Sequence, residues 1–149
     1  MTAQDNAELT RRAYQLFEQH RFDEVLASVA DDVEVVPYYA PGLVFRGKDG
    51  FRDFMASHKN ALPDIRVRID HQVATDDAVV NECTATGTHT GPLVSPAGEI
   101  PPTGRSVTLH FCEIWTIRDG KVIGLHNYQD SGDLMRQLGL VPEMQIAGS

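Results

Sequence analysis

The sequence holds six histidines and a carboxylate, Asp130, whose spacing could serve proton transfer. His110 lies before an Asp119-Gly120 pair, and His126 and Asp130 lie after it. Asp-Gly between stretches of apolar residues is a strong hairpin signal, so the three side chains belong to the two arms of one hairpin. Centred on Asp119-Gly120, simple pairing sets Asp130 opposite Leu109 and His110 opposite Gln129. His126 and Asp130 then share a face. His110 takes the other face unless a one-residue bulge brings it round, because side chains on a strand alternate with a period of two. A carboxylate near an imidazole on a pocket wall can take and return a proton. An unperturbed Asp titrates near ~3.9 and a His near ~6.5, and a dry pocket raises the carboxyl toward neutrality. A positioned acid or base is worth ~10²–10⁴-fold in rate. Asp130, His110 and His126 are the candidate catalytic residues.

The remaining histidines sort by place. His89 sits in Gly87-Thr88-His89-Thr90-Gly91, at the end of a strand and the mouth of a long loop. Glycine permits close approach there, which makes His89 a candidate substrate-binding residue. His71 has the parity of Val67 and Ile69 on the apolar face of its strand and is a second candidate. His20 and His58 fall at helix ends and are expected on the surface. Other catalytic signatures are missing: no glycine-rich phosphate loop follows a strand, and no Gly-x-Ser-x-Gly occurs. Cys83 and Cys112 lack the spacing of a metal or redox pair and read as buried free thiols of a reducing cytoplasm. His126 and Asp130 are four apart on a strand that rises ~3.3 Å per residue, too widely spaced for easy chelation, so no metal is expected.

The elements that must position these groups follow from hydrophobic period. Leu9, Ala13, Leu16 and Phe17 mark a helix over 6–20, and Phe22, Val25, Leu26 and Val29 a second over 21–30. Val33–Val36 reads as a strand ended by Pro37, and 48–60 as a third helix. From Ile65 the period becomes two, giving strands over 65–73 and 78–90. The proline- and glycine-rich stretch 91–104 reads as a long loop. The hairpin arms cover 105–118 and 121–130, and a short helix covers 131–138 with Gly139 at its C-terminal cap. Helices collected early and strands following one another predict an α+β fold. In it a curved antiparallel sheet wraps N-terminal helices and leaves a conical pocket, the usual form of a ligand site.

The 149 residues suggest one domain with a core over about 6–140 and a tail over 141–149. Thirteen Lys and Arg against twenty-one Asp and Glu leave a net charge of −8, which argues against nucleic acid and anionic membrane as partners. The N-terminus has neither the basic nor the apolar region of a signal peptide, so a cytoplasmic protein is expected.

Several stretches in order resemble the SnoaL-like polyketide cyclases (ester cyclases) of the nuclear-transport-factor-2-like superfamily. They are Phe51-Arg52-Asp53-Phe54, Leu62-Pro63-Asp64-Ile65, Gly87 to Gly91, Pro102-Thr103-Gly104-Arg105, Trp115 with Arg118 to Val122, and Asp130 followed by Gln137-Leu138-Gly139. The resemblance implies a cone-shaped fold, a homodimer or homotetramer, and cofactor-free closure of a hydrophobic polyketide ester by intramolecular aldol chemistry. It puts the acid/base role on Asp130 and the assisting histidine at His110, with His126 as substitute, and Trp115 joins the substrate-binding candidates. Two other readings remain open. One is an epoxide hydrolase or epoxide-opening cyclase using Asp130 with His110, His126 or Tyr128, which makes Tyr128 a further binding candidate. The other is a module that binds a small ligand without chemistry.

Overall fold

The computed structural model describes residues 2–95 and 98–141. Helix α1 spans Ala3–Glu18 and starts at a capping box: Thr2 Oγ1 accepts from Asp5 N at 3.1 Å, and Asp5 accepts from Thr2 N at 3.0 Å. Helix α2 spans Phe22–Leu26, shorter than its periodicity predicts, because Val29 and Ala30 join strand β1 (Val29–Pro37). After β2 (Phe45–Arg46) comes α3 (Gly47–Ala61), then β3 (Arg66–Ala74) and β4 (Ala78–Thr88). Segment 91–104, expected as loop throughout, contains two short paired strands, β5 (Leu93–Ser95) and β6 (Gly98–Ile100). Strands β7 (Ser106–Arg118) and β8 (Lys121–Gln129) form the expected hairpin, and α4 (Ser131–Gln137) follows. Asp119 and Gly120 both have positive φ, 51° and 73°, as a tight hairpin of right-twisted strands requires. Of the tail expected over 141–149, residues 142–149 lie outside the described residues, as do Pro96 and Ala97.

One curved, open sheet runs in the order β2-β1-β8-β7-β4-β3. All its pairs are antiparallel except β1 with β8, which is parallel. Alternate residues of the central strands point inward: Val79, Cys83 and Ala85 on β4, Leu109, Trp115 and Ile117 on β7, and Val122 and Leu125 on β8 are all buried. Helices α1 and α3 cover them with Tyr14, Leu16, Phe51, Phe54 and Met55, which belong to the same cluster. Burying each large apolar side chain contributes roughly 1.5–3 kcal/mol, so this inner face anchors the fold. Among the described residues, no helix is long and apolar enough to cross a membrane.

Three strand pairs carry a register shift, the β1–β8 pair between Val29 and Glu34 among them, and the other two decide which candidate side chains face inward. On β8, Thr116 pairs with Gly124 but Ile117 pairs with Val122, so Ile123 is the extra residue. On β3, Ile69 pairs with Cys83 and His71 with Glu82, so Asp70 is the extra residue. Each extra residue reverses the alternation beyond it.

Candidate functional site

An inner chamber of about 60 Å³ lies between α1, α3 and the inner faces of β7 and β8. Its wall is apolar (Phe51, Phe54, Phe111, Trp115, Leu125), yet it includes one carboxylate, Glu113. Glu113 sits mid-strand in the inward row of β7 and is only 4% exposed. Among the described residues, no Lys or Arg lines the chamber. Tyr14 O–H donates to Glu113 Oε1 at 2.7 Å, and Asn127 Nδ2 donates to Oε2 at 2.8 Å. Asn127 is placed for this because it pairs directly with Glu113 across the hairpin. Burial pushes the Glu113 pKa up, and the bonds from Asn127 and Tyr14 oppose it. The Tyr14 phenol is pushed well up by burial and by the Glu113 charge. Tyr39 is raised by burial and by Glu113, with Ser57 opposing. Cys83 is raised by burial to about 12. A buried carboxylate held by two neutral donors, with no cation to pair it, is the form of a general base.

The chamber adjoins a larger vestibule of about 290 Å³ lined by Leu62, Leu93, Leu134, Met135 and Leu138. His58, Leu109 and Gln129 line both spaces and so stand at the boundary between them. His58 Nδ1 lies 2.9 Å from the Phe54 carbonyl, which can only accept, so Nδ1 carries the proton. Nε2 of His58 then accepts from Gln129 Nε2 at 2.8 Å. Burial lowers the His58 pKa, so the ring is a neutral acceptor that orients the Gln129 amide. In the vestibule, the Thr103 backbone N–H donates to His89 Nδ1 at 3.2 Å. The proton of neutral His89 therefore sits on Nε2, which has no hydrogen-bond partner among the described residues. Burial lowers the His89 pKa, with the Gly91 backbone opposing. Gly91 packs so tightly on Asn60 that a Cβ would fall 1.7 Å from its carbonyl oxygen. Among the described residues, no group of three or more His, Cys, Asp or Glu is placed to hold a metal ion.

The family model for SnoaL-like polyketide cyclases matches residues 7–138. The chain belongs to that family. Solved structures agree in fold. A candidate SnoaL-like polyketide cyclase from Jannaschia sp. CCS1 is 19% identical, with a TM-score of 0.83 over 95% of this chain and 96% of that one. An NTF2-like protein of unknown function from Burkholderia pseudomallei K96243 is 22% identical, with a TM-score of 0.71 over 90% and 97%. TerC, co-crystallized with polyporic acid, is 24% identical, with a TM-score of 0.69 over 91% and 98%. No curated protein matches in sequence.

In this SnoaL-like chain the candidate residues of the sequence divide between two faces. Trp115 lines the inner chamber and His89 the vestibule. Asp130 and His110 do meet, since Asp130 N donates to the His110 carbonyl at 3.0 Å. The bulge at Ile123 sets His110 on the same side as Asp130, but that side is the outer one. His110 is exposed, and its Nδ1 lies 3.2 Å from Thr84 Oγ1, which also bonds Asp70. Asp130 is exposed and caps α4, its Oδ1 accepting from Asp133 N at 3.2 Å. His126 and Tyr128 share that outer face around Tyr38: Tyr38 stacks on Tyr128 at 4.5 Å and meets His126 edge-on at 5.5 Å. His71, expected among the apolar side chains of β3, is exposed because the Asp70 bulge turns it outward. Asp130, His110, His126, Tyr128 and His71 therefore line neither cavity. His58, expected on the surface, lines both; His20 is exposed as expected. Glu113, Asn127, Gln129 and Tyr14, which line the chamber, were not among the candidates of the sequence. The signal for Glu113 was present: Leu109, Phe111, Trp115 and Ile117 share its parity, so a lone acid interrupts an otherwise apolar row.

Proposed function

We propose that this protein closes a ring in a neutral, hydrophobic polyketide-like ester by cofactor-free general acid/base catalysis, with Glu113 in the role expected of Asp130. The bulk of the substrate occupies the vestibule, and its activated C–H enters the chamber past His58 and Gln129. Glu113 takes that proton, and the enolate carbon attacks a carbonyl of the same molecule. The new alkoxide takes the proton back from the Glu113 carboxylic acid, so one group serves as base and acid. The Gln129 amide, which lines both spaces, and the Tyr39 hydroxyl of the vestibule are the donors offered to the developing oxyanions, and the apolar wall strengthens each contact by excluding water.

The observation that carries this reading is a buried carboxylate in an apolar chamber that adjoins the vestibule, with no Lys or Arg beside it among the described residues. Glu113→Gln keeps the shape and removes the base. It is expected to lower kcat/KM for ring closure by ~10²–10⁴-fold with an unchanged circular-dichroism spectrum. Unchanged turnover in a folded Glu113→Gln variant sinks the assignment, and tight ligand binding with no product in the wild type points to a binding module. The small chamber favours a second reading, since about 60 Å³ beside a carboxylate and an amide holds a water. Glu113 could then activate that water to open an epoxide. Oxygen-labelled water separates the two, because only hydrolysis puts the label into product.

We also propose a cytoplasmic homodimer or homotetramer assembled through the outer sheet face. Tyr38 and Tyr128, 48% and 45% exposed, form the aromatic patch that supports this reading, and light scattering tests it.

A further inference from the structure

The hydrogen-bond network behind Glu113 is given its direction by groups that act in one sense only. The Ala7 carbonyl can only accept, and Gln72 Nε2 lies 3.4 Å from it. The Thr10 hydroxyl donates to that same carbonyl at 2.9 Å, which leaves its oxygen to accept from Gln72 Nε2 at 3.2 Å. Gln72 therefore turns its NH₂ into the network and donates to Asn81 Oδ1 at 2.8 Å. Asn81 must then present Nδ2 to the Tyr14 hydroxyl, 3.4 Å away. The Trp115 indole N–H can only donate, and it meets the same oxygen at 3.2 Å. With both lone pairs of that oxygen engaged, the Tyr14 proton has one direction left, toward Glu113 Oε1.

We propose that Gln72, Asn81 and Trp115 are positioning residues that hold Tyr14 as a one-way donor to Glu113 and so keep the carboxylate ionised between turnovers. The proposal rests on the reading of Glu113 as the base. Gln72, Asn81 and Thr10 do not line the chamber and touch no substrate there. The titratable groups that share Glu113's surroundings are Tyr14 from α1, Tyr39 from the loop after β1, His58 from α3, Cys83 from β4 and Cys112 next to it on β7. None is a cation at neutral pH, because His58 is held neutral by burial. Donated hydrogen bonds are therefore what opposes the cost of a buried charge. Each bond in a chain polarises the next, so the remote amides act on Glu113 through Tyr14.

Infrared difference spectra of the full chain, recorded across pH, read the Glu113 carboxyl directly. The band is assigned by its loss in Glu113→Gln. Removing a hydrogen bond to a charged group shifts its titration by about one to two pH units. Tyr14→Phe is accordingly expected to move the Glu113 midpoint up by that amount, or to bring in a carboxyl band that the wild type lacks. Asn81→Leu moves it the same way by about a few tenths of a unit, in keeping with the modest strengthening along hydrogen-bond chains. The acid limb of the turnover profile shifts with it. A Tyr14→Phe protein that titrates as the wild type does overturns the proposal. Should that variant fail to fold, Asn81→Leu and Trp115→Phe decide, and no movement in either overturns it. Turnover surviving Glu113→Gln would remove the base reading while leaving the midpoint shift fully readable, so the two failures are distinct.

Discussion

The inner and outer faces of the β7–β8 hairpin carry similar side chains in opposite conditions. Inside, Glu113 is buried with no cation, and burial raises its pKa. Outside, Asp70 on neighbouring β3 and Asp133 on α4 accept hydrogen bonds within reach of solvent, and their pKa values fall. For Asp70 the Thr84 hydroxyl is the main cause and Arg68 the next, while for Asp133 it is Arg136 and then Gln137. Histidines divide in the same way: His58 is a neutral acceptor at the boundary of the two cavities, and His110 stands on the surface among Thr84, Asp70 and Asp133. An acid and a base near one another are thus not enough to mark a site. What makes Glu113 the stronger candidate is removal from water, which sets the energy of its charged form.

The comparison breaks most visibly in turnover. Glu113→Gln is expected to lose ~10²–10⁴-fold, whereas Asp130→Asn, which keeps a capping side chain on α4, stays within a few-fold of wild type. Ring formation from a β-keto ester, assayed in both variants, checks this, and equal losses would return Asp130 to the mechanism. Stability gives the next largest contrast. Trp115→Ala opens a hole in the inner face and should cost about 3–5 kcal/mol, while Tyr128→Ala on the outer face should stay within about 0.5 kcal/mol at protein concentrations low enough to separate the subunits. Urea unfolding measures both. A Tyr128→Ala loss that depends on protein concentration sharpens the contrast by placing the outer face in an assembly interface.

Sequence periodicity carried the order of the longer elements, though not the short strands β2, β5 and β6, together with the α+β class and the hairpin at Asp119-Gly120, because alternation and turn chemistry are local. It could not carry the two bulges. Ile123 and Asp70 have nothing in their residue type that announces an extra residue, since register is settled by how β3 and β8 fit their neighbours. His71 was misplaced for that reason. His110 was another matter: the apolar residues Val107, Leu109, Phe111, Trp115 and Ile117 already set the inward parity of β7 and left His110 outside. The same row held Glu113 in plain view. Helix α2 ends early because Val29 and Ala30 gain more by pairing in β1 than by extending a single turn, an outcome of tertiary context that propensity does not contain.

Smaller effects refine the outer side. Asp130→Ala removes the α4 cap and should cost about 1 kcal/mol, seen as a fall of about 2–4 °C in Tm, while Asp130→Asn should recover most of it. A larger loss than this would mean that Asp130 does more than cap.

The finest contrast is the sign of the pH dependence. Glu113 is raised from an ordinary 4.5, so between its unfolded and folded values the folded chain retains a proton that the unfolded chain has released. Stability then falls as pH rises: Glu113's contribution is complete below its unfolded value and is lost as pH climbs through its folded value. Asp70 and Asp133 are lowered from an ordinary 3.8. Their contribution is complete above that value and is lost as pH falls through their folded values. Urea unfolding at a series of pH values should therefore show Glu113→Gln gaining on the wild type as pH increases above the unfolded value of Glu113. Asp70→Asn should instead lose ground to the wild type as pH climbs from the acid side toward the unfolded value of Asp70. Screening keeps the Asp70 effect small because that group is open to solvent, and the test lies in direction. Trends of the same sign in the two variants would mean that the inner face does not remove Glu113 from water any more than the outer face removes Asp70.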